Sequence, residues 1–328
     1  MNWNKRAKLI DSVVIVLALI CCSSASAQTQ PTVSVDLTTM GLPSDAFVRK
    51  NYKECPRQYF GYRSVEWLDE RRILVAFNTN PDCAFNEGLM DGSLRLVTFD
   101  LQGKVLHSGD VAYPAGDGGA IRVIAHGGIW IGPDHTVIVE VPSPHLKALP
   151  DSRDKVVVFS DELTQIQDID TDYHDRIGDG MQFAGVTQDR SRVLFSMPGD
   201  RAKRERTCLS YSKFPMTSAD ACSPYDLGSI KQPPDTTAVP KGYEFRAFAG
   251  ASTDGLRSSV FAVKGEKAPC MLSGKFCGSK GTIVVFETKT KRTLLKMDIP
   301  LDGRAALSLD GRGLAVLQQN KLEIFVVP

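Results

Sequence analysis

The residues with the most chemistry to offer are acidic. The segment Asp168-Ile-Asp170-Thr-Asp172-Tyr-His174-Asp175-Arg-Ile-Gly-Asp179 sets carboxylates at the first, third, fifth and twelfth positions. At that spacing oxygen ligands converge on a hard cation, so Asp168, Asp170, Asp172 and Asp179 are candidate calcium ligands. The sixth position, where such a loop turns on glycine, holds Tyr173, and the last holds Asp in place of Glu. A solvated acidic loop is the competing reading, because turns favour Asp on their own account. Asp117 in AGDGGA and Asp179 in IGDGM are candidates for the acid and base of a hydrolase, or simply the first residues of Asp-Gly turns. All five histidines, His107, His126, His135, His145 and His174, crowd into one stretch, but their spacing matches no two-ligand motif. Arg201, Lys203, Arg204 and Arg206, with Lys264 and Lys267 further on, are candidates for a cationic patch that would take an acidic glycan or protein. There is no GxSxG, phosphate-binding or dinucleotide fingerprint, so no further cofactor is implied.

The first residues of the chain set where this chemistry would operate. Lys5, Arg6 and Lys8 precede an apolar run from Val13 to Cys22, and Ala25-Ser26-Ala27 precedes Gln28. That is the pattern of a cleaved secretory signal over residues 1–27, leaving a single domain over 28–328 that is periplasmic or secreted. The apolar run is too short to span a bilayer, and no later one is longer. Cys55, Cys83, Cys208, Cys222, Cys270 and Cys277 follow the signal, and an even set in an exported chain points to disulfides. Six cysteines allow 15 pairings. Pairing of neighbours (55–83, 208–222 and 270–277) closes local loops and is the preferred set.

Composition narrows the function classes without choosing one. The 328 residues carry 39 Lys and Arg against 38 Asp and Glu, and 42% are hydrophobic. A neutral chain gives no electrostatic footprint for nucleic acid, and its apolar content suits a folded domain, expected as a monomer.

The elements that must position these residues recur along the chain. One pattern appears five times: an apolar segment, a turn centred on Asp, a second apolar segment, a variable loop, and a third segment ending in an aromatic residue. The Asp turns lie at Asp69, Asp134, Asp189, Asp254 and Asp310, and the closing aromatics are Phe99, Phe159, Tyr211, Phe286 and Phe325. The segments are short, rich in β-branched residues and bounded by Asp and Gly, which predicts strands and little helix. A fourth strand often follows a tight turn, as in KVLHSGDVAY, LTQIQDID and RTLLKMDIP. Such four-stranded repeats resemble the blades of a β-propeller, broadly of the WD40 or YVTN kind, although the Trp-Asp and Gly-His signatures of WD40 repeats are missing. The resemblance implies an all-β fold of about five blades. The last repeat stops at its third strand, so TVSVDLT, near Val33 and Val35, is expected to supply the fourth and close the ring.

In such a blade the turns after strands one and three lie on one face, and the loops after strands two and four on the other. The first group is short here, whereas the second includes 78–93, 142–154, 198–206, 231–243 and 264–281. Insertions gathered on one face mark a binding surface. The expectation is an exported binding module for a protein or glycan on that face. Two alternatives stand beside it: a propeller hydrolase acting on carbohydrate or a small ester through Asp117 or Asp179, and a structural envelope protein without a small ligand.

Overall fold

Residues of opposite ends of the chain share one sheet. β1 (Val33–Asp36) lies antiparallel to β20 (Lys321–Val326), with Val33 opposite Ile324 and Val35 opposite Leu322. β20 pairs in turn with β19 (Gly313–Gln318), and β19 with β18 (Arg304–Leu307). The N-terminal segment therefore supplies the fourth strand that the last repeat lacks, as the sequence predicts.

The computed structural model describes residues 30–42, 63–79, 90–115, 129–141, 154–171, 181–187, 189–198, 206–222, 243–264, 281–300 and 303–328. Thr32–Pro328 forms one unit, and Met1–Pro31 is separate from it. Four more antiparallel sheets follow in chain order, each built from four consecutive strands. The first holds β2 (Arg63–Trp67), β3 (Arg72–Asn78), β4 (Met90–Asp100) and β5 (Val105–Ala115); the second holds β6 (Ile129–Ile131), β7 (Val137–Val141), β8 (Asp154–Phe159) and β9 (Gln165–Thr171). The third has β10 (Gln182–Val186), β11 (Val193–Pro198), β12 (Arg206–Tyr211) and β13 (Asp220–Cys222), and the fourth β14 (Tyr243–Ala251), β15 (Arg257–Lys264), β16 (Gly281–Glu287) and β17 (Thr293–Ile299). The fifth is the sheet that joins the termini. Helix among the described residues is confined to two single 3-10 turns, Thr38–Met40 and Pro133–His135. No helix among them is long and apolar enough to cross a membrane.

Burial along the strands reports how the sheets stack. In β3, Ile73, Leu74, Val75, Ala76 and Phe77 are all buried, so both faces of the strand are covered. Ile73, Val75 and Phe77 pack with Ala315, Leu317 and Leu322 of the fifth sheet, while Leu74 and Ala76 pack with Val137 and Val139 of the second. β7 divides likewise: Val137 and Val139 face the first sheet, and Ile138 packs with Val193 and Phe195 of the third. In β19, Ala315 and Leu317 face the first sheet, and Leu314 and Val316 meet Ile283 and Val285 of the fourth. The two-residue period of a strand thus sends alternate side chains into two different seams. Outer strands alternate buried with exposed residues, as β9 does from Asp168 to Thr171.

Polar contacts tie the same seams. Trp67 Nε1 donates to the Ala306 carbonyl at 2.9 Å between the first and fifth sheets. Arg72 meets Asp161 at 2.9 Å between the first and second. The Gln167 side chain accepts from the Met216 amide between the second and third, and Arg257 donates to the Gly311 carbonyl between the fourth and fifth. Gly250 has φ +118°, and a Cβ there would stand 3.2 Å from the Leu307 backbone nitrogen, so glycine is what lets β14 approach β18.

Candidate functional site

The turns between the first and second strands are built by one device. In the fifth sheet Ser308 Oγ donates to Asp310 and accepts from the Gly313 amide, while the Arg312 amide donates to the same carboxylate. Ser252 and Asp254 repeat this in the fourth sheet, and Thr187 and Asp189 in the third. In the first sheet Asp69 caps the turn directly, accepting from the Arg71 and Arg72 amides and from Arg72 Nε. The second sheet departs from the scheme: Thr136 Oγ1 donates to the Pro133 carbonyl, and Asp134 and His135 both have left-handed backbone.

These hydrogen bonds move the carboxyl groups. The Thr187 hydroxyl and Ser191 amide hold Asp189 below the usual carboxylate range, and the Ser252 hydroxyl and Leu256 amide do so for Asp254. At Asp69 and Asp310 burial pulls upward, but the amide, hydroxyl and guanidinium donors around them outweigh it, and both also end low. These aspartates are structural caps.

Three groups at this end of the sheets are not used as caps. Arg190, in the third sheet's turn, donates through Nη1 to the Trp67 carbonyl and, at 3.4 Å, to that of Leu68. His135, in the second sheet's turn, has Nδ1 3.1 Å from the same Leu68 oxygen. Because that partner can only accept, Nδ1 is the donor in this contact. Glu66, one residue before Trp67 on β2, feels the same guanidinium. Burial pushes its carboxyl up, and attraction to Arg190 offsets part of the rise; burial likewise lowers Arg190, and Glu66 offsets part of that. Turns from the second and third sheets thus reach the end of the first sheet's β2, where Arg190 and His135 share the Leu68 carbonyl.

The opposite ends of the strands carry the long connections. Residues 79–89, 142–153, 199–205 and 265–280 join second to third strands, and 37–62, 116–128, 172–181 and 223–242 run from a fourth strand to the next first strand. Apart from 212–219, the connections at the capped end have about six residues or fewer, whereas these eight have about seven or more. In the fifth sheet both connections at the long end are short as well, 300–303 and 319–320.

The residues singled out in the sequence fall unevenly within this frame. Asp168 and Asp170 lie on the exposed side of β9, extended rather than looped, and Asp168 accepts from Gln165 Nε2 at 2.7 Å. Asp172 and Asp179 lie outside the described residues, as does Asp117. Among the described residues no three His, Cys, Asp or Glu side chains are grouped to hold a metal ion. Arg206 opens β12 and Lys264 ends β15, both where strands enter long connections; Arg201, Lys203, Arg204 and Lys267 lie outside the described residues. So do Cys55, Cys83, Cys270 and Cys277, and His126, His145 and His174. Cys208 and Cys222 are directly opposite on β12 and β13 and form a disulfide, with 5.0 Å between their Cα atoms. Glu66 and Arg190 carry no sequence signal beyond lying beside two of the Asp turns, in VEWLDERR and QDRSR.

No family model matches the chain, and no curated protein does. Solved structures similar to it include β-propeller domains. One is the β-propeller domain of the Trilobed protease from Pyrococcus furiosus, 10% identical over 79% of this chain and 64% of that one, with a TM-score of 0.26. A glycosyl hydrolase from Bacteroides ovatus is 10% identical over 80% of this chain and 82% of its own, with a TM-score of 0.32. The Pyrococcus horikoshii acylaminoacyl peptidase is 11% identical over 57% of this chain, which spans 26% of that protein, with a TM-score of 0.23. At these scores and identities the likenesses say nothing about chemistry.

Proposed function

We propose that the protein is an exported five-bladed β-propeller, closed by the pairing of β1 with β20, that works as a binding module through the face of long connections. The observation that carries this reading is the partition of the connections. Apart from 212–219, short turns occupy one end of the sheets, and eight longer segments leave from and return to the other. A rigid stack of sheets that presents variable loops on one face is a common design for recognition, since the scaffold holds the loops and the loops carry the specificity. The partner is a protein or a glycan, and the basic residues Arg206 and Lys264, at the roots of two of the long connections, favour an acidic one. The Cys208–Cys222 disulfide fits an oxidising compartment outside the cytosol.

Thermal unfolding of the disulfide-bonded protein against soluble glycans and acidic polymers, each with calcium and with chelator, tests the proposal. A ligand that binds only the folded chain raises the midpoint, by about 2.7 kcal/mol of stability at a hundredfold excess over its Kd. A rise with one ligand class supports the reading, and a flat screen across all of them counts against it. A calcium-dependent rise that is lost in Asp170→Ala assigns the acidic segment to the metal.

The hydrolase reading keeps one supporting observation. Asp117 and Asp179 fall in connections 116–128 and 172–181, which lead into β6 and β10, the first strands of their sheets. Turnover of a bound glycan that disappears in Asp117→Asn or Asp179→Asn would establish it, and turnover that survives both would exclude these residues.

A further inference from the structure

β13 is held differently from the other outermost strands. β5 buries Val111, β9 buries Ile169, β17 buries Leu295 and Ile299, and β1 packs Val33 and Val35 against the core of the first and fifth sheets. On β13 Asp220 is exposed and Cys222 half-buried, and neither belongs to an apolar cluster among the described residues. The polar contacts of Asp220 are weak: Ser210 Oγ donates to its carbonyl at 3.4 Å, and Arg192 lies 3.5 Å from its carboxylate with both side chains exposed to solvent. Pairing with β12 covers Cys208, Leu209 and Ser210 alone. An edge strand this short, with no described side chain of its own in the core, is marginal by itself. The chain before it is anchored separately, since Phe214 and Met216 pack on the cluster of the second and third sheets and the Met216 amide donates to Gln167, whereas 217–220 are exposed. The bond from Cys208, buried on β12, to Cys222 is therefore what fixes β13. The rest of the third sheet has its own support: Phe183, Phe195 and Tyr211 stack edge to face at 5.6 and 5.7 Å across β10, β11 and β12.

We propose that the Cys208–Cys222 disulfide is a redox switch, opened in the folded protein by a protein dithiol, that releases β13 and leaves β10, β11 and β12 in place. Cys222, half-buried on the outermost strand, is the end of the bond that an attacking thiolate reaches. The thiolate bonds to Cys222 Sγ and displaces Cys208 Sγ, which takes up a proton. The second thiol of the reductant then attacks the mixed disulfide, leaves as the reductant's own disulfide, and returns Cys222 as a thiol. Two electrons and two protons pass to the cysteine pair, and the dithiol is oxidised. β13 leads directly into 223–242, one of the long connections, so its release frees the root of that connection. Control of binding by this route rests on the binding face proposed above; the release of β13 does not.

Reduction of the purified, disulfide-bonded protein by a thioredoxin-type dithiol, followed by alkylation and mass spectrometry, shows whether Cys208 and Cys222 become thiols while the chain stays folded. Hydrogen exchange on the same samples, and on the Cys208→Ser/Cys222→Ser double variant with its other cysteines left oxidised, reads the consequence for this pair alone. Protection is expected to be lost at Asp220–Cys222 and at the facing Cys208, Leu209 and Ser210, and kept in β11, β3 and β19. Alkylation that appears only on unfolding overturns the proposal, and so does protection of β13 that survives in the reduced protein and in the variant. Loss of protection throughout the third sheet, or a variant that does not fold, also overturns it, because the bond would then hold more than β13. No ligand is present in these measurements, so their failure leaves the binding face untouched, and a flat ligand screen leaves the switch untouched.

Discussion

Ser308, Ser252 and Thr187 occupy equivalent places two residues before the turn aspartates, and each hydroxyl both donates to the carboxylate and accepts an amide. Removing one leaves a buried amide and a carboxylate short of a partner, so Ser308→Ala is expected to cost about 1–2 kcal/mol in chemical denaturation. The aspartates add a pH dependence of definite sign. Their folded pKa values are depressed, so the stability they contribute is present above about pH 4, the unfolded range, and is lost as pH falls through the folded values. Denaturation midpoints should drop on acidification in that window, and Asp310→Asn should flatten the drop. The Asp at the centre of each turn is legible in sequence, because a turn between two apolar runs leaves few other roles for it. The hydrogen bond of Arg190 to the Trp67 carbonyl is not, since only the folded arrangement brings residues so far apart in the chain together.

At the scale of elements, strands in the middle of each sheet announce themselves as unbroken apolar runs, because packing on both faces leaves no room for polar alternation. β3 and β19 show this most clearly. β13 escapes sequence reading because three residues, Asp220–Cys222, hold no β-branched side chain, and the disulfide to Cys208 pins it instead. Replacing both cysteines with serine removes a cross-link with a sequence separation of 14 and should cost about 3 kcal/mol of stability. β4 begins at Met90, inside the stretch that the sequence assigns to a loop, since MDG lacks the apolar content of a strand. The seam that joins the ends of the chain has its own test. Gly103 has φ +80°, and a Cβ would sit 2.6 Å from Val35 Cγ2 and 2.8 Å from Val33 Cγ1. Gly103→Val must therefore strain its turn and push β1 away, and is expected to lower stability by about 1–3 kcal/mol, with the larger loss in hydrogen-exchange protection at Val33–Asp36.

For the whole molecule, the sequence shows the two faces through connection lengths, because strand order alone decides which end a loop leaves from. The chemistry of the long face is not legible in the same way, since its residues act together only once the sheets bring their connections side by side. A binding face made of the long connections is best tested by hydrogen exchange on the disulfide-bonded protein, with and without the glycan or acidic polymer that raises its unfolding midpoint. Added protection is expected in the long connections, among them 199–205 and 265–280 next to Arg206 and Lys264, with the capped turns at Asp69, Asp189, Asp254 and Asp310 unchanged. Protection confined to the capped turns, or spread evenly over both ends of the sheets, would contradict a binding face at the long connections.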